Sequence, residues 1–252
     1  MAPTTPQYIR LGVIVPSSNT VLEPLTQQII SDIPPMLANV SVHFARFRVT
    51  TISLSNESNS QFALQPMLEA AMLLADAKVH MIGWSGTSAA WLGLSNDEIL
   101  CKKIQEVTGI PATSSVLAMK HLLTARSLSS LGLITPYLPN VNTAIRRSLE
   151  AEGFSITEKR SWCSGLSHNF DFAAVGEQEL DNMVTEVVSE GAKTVLVVCT
   201  NLRAADRVAH WEEIHSIVVV DSVSTVVYGM LGELGIDSSA LSERWGSMFD
   251  RK

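Results

Sequence analysis

The stretch LGVIVP at residues 11–16 is repeated later in the chain as LGLITP at residues 131–136. A second pair of stretches follows the same pattern, because MIGWSGTS at residues 81–88 corresponds to TVLVVCTN at residues 194–201. Each of the four is an apolar run that ends near small or polar residues, which is typical of a buried strand followed by a loop. The chain therefore contains one α/β design twice.

Between these stretches, short apolar or β-branched runs alternate with longer stretches of helical spacing. We predict strands at residues 9–15, 40–48, 79–84, 131–135, 154–159, 194–198 and 217–220. We predict helices at residues 21–31, 61–77, 96–108, 116–125, 140–152, 177–190, 204–215 and 222–234. This alternation predicts parallel strands joined by right-handed crossovers, with helices on both faces of each sheet.

The predicted fold class is α/β, with two Rossmann-like parallel-sheet halves related by a pseudo-two-fold axis. We place the first half at residues 1–116 plus 221–252 and the second half at residues 117–220. No linker rich in Pro or Gly divides the chain, so we expect the two halves to be joined tightly.

The composition excludes several classes of function. With 252 residues, of which 46% are hydrophobic and 17% charged, the chain is expected to be a soluble globular protein. A formal net charge of −7 and the lack of a Lys/Arg cluster argue against a nucleic-acid partner. No run approaches the roughly 20 apolar residues of a membrane span, and the N-terminal MAPTTPQYIR has no apolar signal core, so we expect a cytoplasmic protein without a membrane partner.

Ligands of such sheets bind beyond the carboxyl ends of the strands. Four loops with small polar residues fall there, at residues 16–20, 86–88, 136–137 and 199–201. Their N–H groups and hydroxyls would suit a carboxylate or enolate oxygen, so a small anion is the predicted ligand. The alternative is that these Ser, Thr and Asn residues only cap helices.

The two matched loops differ where a reactive group would lie, because Cys199 corresponds to Gly86. A site between the halves would then have a thiol on one wall and bare backbone on the other, which favours chemistry with one proton-transfer group. We expect a helix to follow Cys199 directly, so that its dipole lowers the pKa of the thiol. The alternative is a buried structural cysteine. Cys163 is the reserve candidate, whereas Cys101 is expected to be a helix residue without chemistry.

Other catalytic signatures are incomplete. GWSGT at residues 83–87 lacks the closing glycine of a nucleophile elbow. Ser85 therefore matches the nucleophile of a serine hydrolase only in part. His210 and His215 are five residues apart, so a helix would not place both on one face for a metal. No phosphate-loop or GxGxxG motif follows a predicted strand. We therefore expect neither a metal nor another cofactor.

Four motifs together resemble one family. They are VPSSNT at residues 15–20, GTS at 86–88, TPY at 135–137 and CTNLR at 199–203. In this order they resemble the aspartate/glutamate racemase superfamily, and in particular its branch of maleate cis–trans isomerases and arylmalonate decarboxylase. The resemblance spans nearly the whole chain, and it implies two Rossmann-like halves with a cofactor-free site between them.

The resemblance also implies roles for individual residues. In the racemases and isomerases of this superfamily a cysteine stands in each half, and the chain departs from that pattern at Gly86. Arylmalonate decarboxylase is similar to this chain in having glycine at that position. By that match, Thr87, Ser88 and Tyr137 would hold the carboxylate that becomes an enediolate. Cys199 would protonate the carbanion.

Asn19 matches instead the isomerase-like members, in which an asparagine of this loop contacts a substrate carboxylate. Thr200 and Asn201 replace paired glycines that follow the cysteine in the decarboxylase. The full predicted substrate-binding set is Asn19, Pro16, Ser17, Gly86, Thr87, Ser88, Tyr137, Asn169, Thr200 and Asn201.

The predicted function is cofactor-independent decarboxylation of a small malonate-type dicarboxylate, through an enediolate protonated by the single thiol of Cys199. Two alternatives stay open: a maleate isomerase-like or racemase-like enzyme that uses Cys199, and a carboxylate-binding protein without catalysis. One thiol predicts one stereochemical outcome, so Gly86→Cys would be expected to add racemase activity. A small carboxylate is the expected partner, and the sequence leaves homo-oligomerisation open.

Overall fold

The computed structural model describes residues 8–250, which form two four-stranded parallel sheets. The strands are β1 Tyr8–Pro16, β2 Asn39–Phe47, β3 Met81–Trp84, β4 Ala112–Ser114, β5 Leu131–Tyr137, β6 Ser161–Leu166, β7 Thr194–Val197 and β8 Val218–Asp221. The first sheet has the order β2-β1-β3-β4 and the second has the order β6-β5-β7-β8, so both share one topology. The predicted α/β fold class with two parallel-sheet halves is confirmed.

Helices connect the strands and cover the sheets. They are α1 Leu22–Ser31, α2 Asn56–Ser60, α3 Leu64–Asp76, α4 Ala89–Leu92, α5 Ser95–Thr108, α6 Ser115–Ala125, α7 Pro139–Ala151, α8 Asn169–Phe172, α9 Glu177–Ser189, α10 Val208–His215, α11 Ser222–Glu233 and α12 Ser242–Trp245. Over the described residues 8–250, no helix combines the length and the apolar character needed to cross a bilayer.

The repeated Leu-Gly dipeptide has the same packing reason in each half. A Cβ atom at Gly12 of β1 would lie 3.2 Å from Leu74 in α3, and a Cβ atom at Gly132 of β5 would lie 3.1 Å from Val187 in α9. Contacts this short leave little space for a side chain, so glycine lets each helix pack closely on the central strand of its sheet. The stretch that reveals the repeat is therefore also the stretch on which the two halves are built.

One predicted strand is wrong. Residues 154–157 form a loop, and the edge strand β6 begins only at Ser161. The apolar alternation arises because Phe154 and Ile156 pack from this loop against the core. β6 itself is only partly buried at the edge of the second sheet, so its sequence carries little apolar signal.

Short elements account for the remaining differences. The helix predicted at residues 204–215 opens with the 3-10 turn Ala205–Arg207 and becomes α-helical at Val208. The three-residue strand β4 and the short helices α2, α4 and α8 were not predicted, because four or five residues are too few to show a period. Near the C-terminus, α11 contacts β3 and β4 of the first sheet. The division into residues 1–116 plus 221–252 and residues 117–220 stays a prediction.

Candidate active site

A small cavity lies at the carboxyl ends of the central strands, where loops from both sheets meet. Its volume is about 20 Å³, which is room for about one water molecule. The lining residues are Pro16, Val49, Ile52, Phe62, Trp84, Gly86, Thr87, Ser88, Trp91, Tyr137, Asn169, Cys199 and Thr200. No side chain in this lining carries a charge, so a carboxylate bound here would be held by neutral donors.

A thiol and two hydroxyls meet in this cavity. Tyr137 Oη and Thr87 Oγ1 lie 2.8 Å apart, and the Tyr137 hydroxyl also hydrogen-bonds to the Cys199 thiol. The backbone N–H of Asn201 donates to Cys199 Sγ at 3.3 Å. Because Ser88 lines the same cavity, the structure brings the predicted thiol together with the side chains predicted to hold a carboxylate.

The pKa of the Cys199 thiol is raised to about 12, because its burial outweighs the hydrogen bonds from Tyr137 and from backbone N–H groups. Our expectation of a lowered pKa is wrong. Cys199 is only 2% exposed, and residues 200–204 form turns, so the helix that we expected directly after Cys199 is missing. At neutral pH the group is therefore an un-ionised thiol, which suits a proton donor better than a nucleophile.

The Tyr137 hydroxyl is also kept neutral. Burial, reinforced by Cys199 beside it, raises the pKa of this phenol well above its ordinary value. A neutral phenol keeps its proton and can donate it in a hydrogen bond. Tyr137 and Thr87 are therefore suited to stabilise negative charge on an oxygen that lies beside both hydroxyls and replaces their mutual hydrogen bond.

Asn19 has a structural role in this arrangement. Its Oδ1 accepts the backbone N–H groups of Val21 and Leu22, both at 3.0 Å, at the start of α1. Its Nδ2 donates to Thr200 Oγ1 at 3.1 Å, which links the two halves behind the cavity. Asn19 is not among the lining residues, so its direct contact with a substrate stays a prediction.

Ser17 and Asn201 likewise hold the surrounding loops. Ser17 Oγ accepts the Val49 N–H at 3.1 Å. Asn201 Oδ1 accepts the Thr20 N–H at 3.0 Å, and its Nδ2 donates to the carbonyl of Asn169. Neither side chain lines the cavity, and for these two residues also direct substrate contact stays a prediction.

Residues 49–62 cover the cavity and tie the two halves together. The Ile52 N–H donates to the Ser167 carbonyl at 2.7 Å, and the Asn169 N–H donates to the Thr50 carbonyl at 2.9 Å. Ligand pockets usually have volumes of about 300–1,000 Å³, far above the volume of this cavity. The cavity as it stands is therefore too small for a dicarboxylate, and binding requires the lining to rearrange.

The first-half counterpart of Cys199 is covered by an indole ring. In β3 the last residue paired with β1 is Trp84, and in β7 the last residue paired with β5 is Val197. Gly86 and Cys199 each lie two residues further along, which confirms that they correspond. A Cβ atom at Gly86 would lie within 2.5 Å of Trp84 Cε2 and closer still to Cζ2, so the ring occupies the space that a side chain would need.

This packing changes the expectation for Gly86→Cys, because a second thiol fits only if the Trp84 ring moves first. Sequence reasoning overlooked Trp84 as a site residue. The available signal was the spacing, since residues two apart in an extended chain point to the same side. The spacing therefore places Trp84 and Gly86 on one side of the chain, and the structure shows the ring over the glycine.

The two indoles of the cavity differ in their hydrogen bonding. Trp91 Nε1 donates to Asn59 Oδ1 at 3.3 Å. Trp84 is fully buried, and its Nε1 finds no hydrogen-bond partner within residues 8–250. A buried donor without a partner costs about 1–3 kcal/mol, so this N–H is an exception among buried indoles.

The other nucleophile candidates lie outside the cavity lining. Cys101 is on α5, where burial and the neighbouring carboxyl of Asp97 raise the pKa of its thiol to about 12. Cys163 is on the edge strand β6, and burial raises the pKa of its thiol as well. Ser85 is fully buried, which gives no support to a serine hydrolase. Over the described residues, no cluster of three or more His, Cys, Asp or Glu could hold a metal ion.

Comparisons with known proteins agree on one family. A family model described as arylmalonate decarboxylase matches residues 11–248. The chain is also 25% identical, over 243 residues, to a maleate isomerase of Pseudomonas putida, and the match covers 92% of this chain and 94% of that protein. The resemblance identified from the sequence motifs is thereby confirmed.

Solved structures share the fold. A mutant of Nocardia farcinica maleate cis–trans isomerase with a covalently bound succinylcysteine intermediate has a TM-score of 0.83 and 21% identity, over 92% of this chain and 95% of that one. Arylmalonate decarboxylase has a TM-score of 0.71 and 17% identity, over 96% of this chain and 100% of that one.

Proposed function

This chain belongs to the arylmalonate decarboxylase family, and from that premise we propose that it is a cofactor-independent carboxy-lyase. Its proposed substrate is a small malonate-type dicarboxylate, and its products are CO2 and a monocarboxylic acid. The observation that carries the proposal is the asymmetry of the cavity. The thiol of Cys199 lies on the side of the second half, whereas the matching position of the first half is Gly86 covered by Trp84.

Decarboxylation needs one proton at carbon, and this cavity offers one acid that suits the task. The raised pKa keeps Cys199 protonated at neutral pH. A carbanion is far more basic than a thiolate, so the transfer from sulfur to carbon is downhill once the carbanion has formed. The un-ionised state of Cys199 therefore supports a role as general acid.

The proposed reaction begins with cleavage of the bond between the central carbon and one carboxylate. CO2 leaves, and the electron pair moves into the remaining carboxylate to give an enediolate. The hydroxyls of Thr87 and Tyr137 donate hydrogen bonds to its oxygens, and each such donor contributes roughly 3–4 kcal/mol. Cys199 then gives its proton to the central carbon, and the resulting thiolate recovers a proton from water.

The uncharged lining supports the first step. A carboxylate without a charged partner is poorly stabilised against the apolar side chains of Val49, Ile52 and Phe62. Loss of that group as neutral CO2 removes a charge from the poorly solvating part of the cavity. The retained carboxylate keeps the hydroxyl donors.

Maleate isomerisation is the second candidate, and the relation to the Pseudomonas putida enzyme favours it. In that reaction Cys199 would add as a thiolate to the double bond of maleate, the new single bond would rotate, and the thiolate would leave to give fumarate. A thiol with a pKa of about 12 supplies little thiolate at neutral pH. We therefore place this candidate second.

One experiment separates the candidates. The wild-type protein and Cys199→Ala are incubated with phenylmalonate, with 2-methyl-2-phenylmalonate and with maleate, and the products are followed by proton NMR and CO2 release. The proposal predicts arylacetic acids and CO2 from the malonates, with maleate unchanged. Fumarate from maleate, with a succinyl adduct on Cys199 in mass spectrometry, would establish the isomerase. Thermal stabilisation by these acids without any product would indicate a carboxylate-binding protein.

A further inference from the structure

We propose that Trp84 is a specificity-determining residue of this site. Its ring excludes a second thiol from the first half, and its Nε1–H donates a hydrogen bond to an oxygen of the bound dicarboxylate. The inference rests on the proposed function for its substrate class. It adds a residue that neither the sequence motifs nor the proposed mechanism uses.

The exclusion follows from the sizes of the side chains at two matched positions in each half. In the second half the pair is Val197 and Cys199, a small side chain followed by a thiol. In the first half the matching pair is Trp84 and Gly86, a large ring followed by no side chain. The overlap between the ring and a Cβ atom at Gly86 shows that the ring uses the space of the missing side chain. A side chain at Gly86 therefore requires the ring to move, and a smaller residue at Trp84 alone would leave a cavity.

The donor role follows from the unpaired indole. Trp84 Nε1 is covalently bonded to Cε2, which is one of the ring atoms nearest to Gly86. Trp84 and Gly86 line the same cavity as Cys199. The N–H has no partner within residues 8–250, whereas the neighbouring indole of Trp91 is bonded to Asn59. Buried indole N–H groups usually find an acceptor. In this cavity, which lacks a charged donor, a substrate oxygen would be that acceptor.

A ligand with two carboxylates gains most from this donor. Thr87 and Tyr137 can hold the retained carboxylate, and the Trp84 N–H would bond one oxygen of the leaving carboxylate, whose other oxygen stays against the apolar part of the lining. This single neutral donor orients the leaving group without giving it a charged partner. Phenylacetate has one carboxylate and would gain less. Trp84 should therefore raise the preference for phenylmalonate over phenylacetate.

Binding is tested in a Cys199→Ala background, in which turnover is slow because the general acid is missing. In 15N-labelled protein, the indole signal of Trp84 is the one that Trp84→Phe removes. Phenylmalonate should shift this proton signal downfield by more than any other indole signal. Trp84→Phe keeps a ring but removes the donor, so it should weaken phenylmalonate binding by about 10- to 100-fold and phenylacetate binding by much less.

Trp91→Phe is the matched control, because it removes from the same cavity an indole whose N–H already has a partner. It should leave the ratio of the two affinities nearly unchanged. An unmoved Trp84 signal upon phenylmalonate binding, or an equal loss for both acids in Trp84→Phe, would overturn the donor role. Failure of every variant to bind either acid would overturn it as well. Binding with the indole shift, but without CO2 release by the wild-type protein, would reject the decarboxylase and leave the donor role intact.

The exclusion is tested without any ligand by urea unfolding of Gly86→Cys, Trp84→Ala and the double variant. Gly86→Cys should lower the midpoint because the new side chain overlaps the ring, and Trp84→Ala should lower it because a cavity opens. In the double variant the two losses should be clearly less than additive, since the thiol enters the vacated space. Additive losses, or a Gly86→Cys variant as stable as the parent, would overturn the exclusion.

Discussion

The carboxyl ends of β3 and β7 occupy equivalent places in two sheets of one topology, yet they carry different chemistry. At the end of β7, Val197 leaves room for the thiol of Cys199. At the end of β3, the ring of Trp84 lies over Gly86, where no side chain fits. The comparison shows that exchanging two side chains makes a site one-sided while the duplicated backbone stays symmetric.

The same comparison supports the proposed role of Cys199 as an acid. A cavity with uncharged walls raises the pKa of Cys199 to about 12, and the buried carboxyl of Asp221 nearby raises it further. A second thiol on the opposite wall would allow proton exchange on both faces of a planar intermediate. With Gly86 and Trp84 in that place, the proposed reaction has a proton donor on one face only.

Removal of the thiol is expected to have the largest effect. Cys199→Ala should lower kcat/KM for phenylmalonate by about 10²- to 10⁴-fold, because the general acid is lost. Cys163→Ala is the control, since Cys163 lies on the edge strand outside the cavity lining. If Cys199→Ala and Cys163→Ala react at equal rates, the thiol at the end of β7 has no special function, and the proposed difference between β3 and β7 is wrong.

Removal of the oxyanion donors should come next. Tyr137→Phe and Thr87→Val should each lower kcat by about 10²- to 10³-fold, with smaller changes in KM, because the additional negative charge on the retained carboxylate develops only as CO2 leaves. The two hydroxyls are 2.8 Å apart, so the double variant should lose less than the product of the single losses. Tyr228→Phe, on α11 and outside the lining, serves as a control that should retain wild-type kinetics.

The equivalent glycines of β1 and β5 predict similar losses of stability when either one is replaced. Gly12→Ala and Gly132→Ala should each lower the free energy of unfolding by about 1–3 kcal/mol, because each new methyl group presses on the helix above it. Gly232→Ala on α11 meets open space and should be neutral or stabilising. Urea denaturation measures all three. A loss in only one of the two central strands would contradict equivalent packing of the halves.

The smallest effect per step of the measurement, one pH unit, concerns two buried carboxyls, one on α5 and one at the end of β8. Burial raises the pKa of both Asp97 and Asp221 to about 7. Between about pH 4 and pH 7 each carboxyl is protonated in the folded protein and ionised in the unfolded chain, so stability falls as the pH rises. Each should contribute a slope of about 1.4 kcal/mol per pH unit in this window.

Urea denaturation at several pH values tests this slope. Asp97→Asn and Asp221→Asn should each flatten the pH dependence between pH 5 and pH 7. The exposed Asp76 provides the matched control, and Asp76→Asn should leave the dependence unchanged. Parallel curves for all four proteins would contradict the raised pKa values.

Much of the fold could be predicted from the sequence because burial leaves a clear pattern. The central strands β1, β5 and β7 are buried almost throughout, so their apolar runs are continuous. The edge strand β6 is half-exposed, and the apolar residues Phe154 and Ile156 of the preceding loop gave a stronger signal. Sequence patterns thus identify the strands that lie in the middle of a sheet better than those at its edge.

The candidate site could also be predicted only in part from the sequence. The rule that ligands bind at the carboxyl ends of strands brought Thr87, Tyr137 and Cys199 together correctly. The acidity of the thiol was not predictable, because the cover over the cavity comes from residues 49–62, far away in the sequence. The contact between Trp84 and Gly86 was not predictable from either residue type, because it depends on how the ring packs on the loop after β3.

The most direct test of the one-sided cavity is the stereochemistry of the product formed from 2-methyl-2-phenylmalonate in D2O. Our account predicts that the wild-type protein forms one enantiomer of 2-phenylpropionate, with a single deuterium at the central carbon and no later racemisation. A racemic product formed at a rate that depends on Cys199 would contradict it.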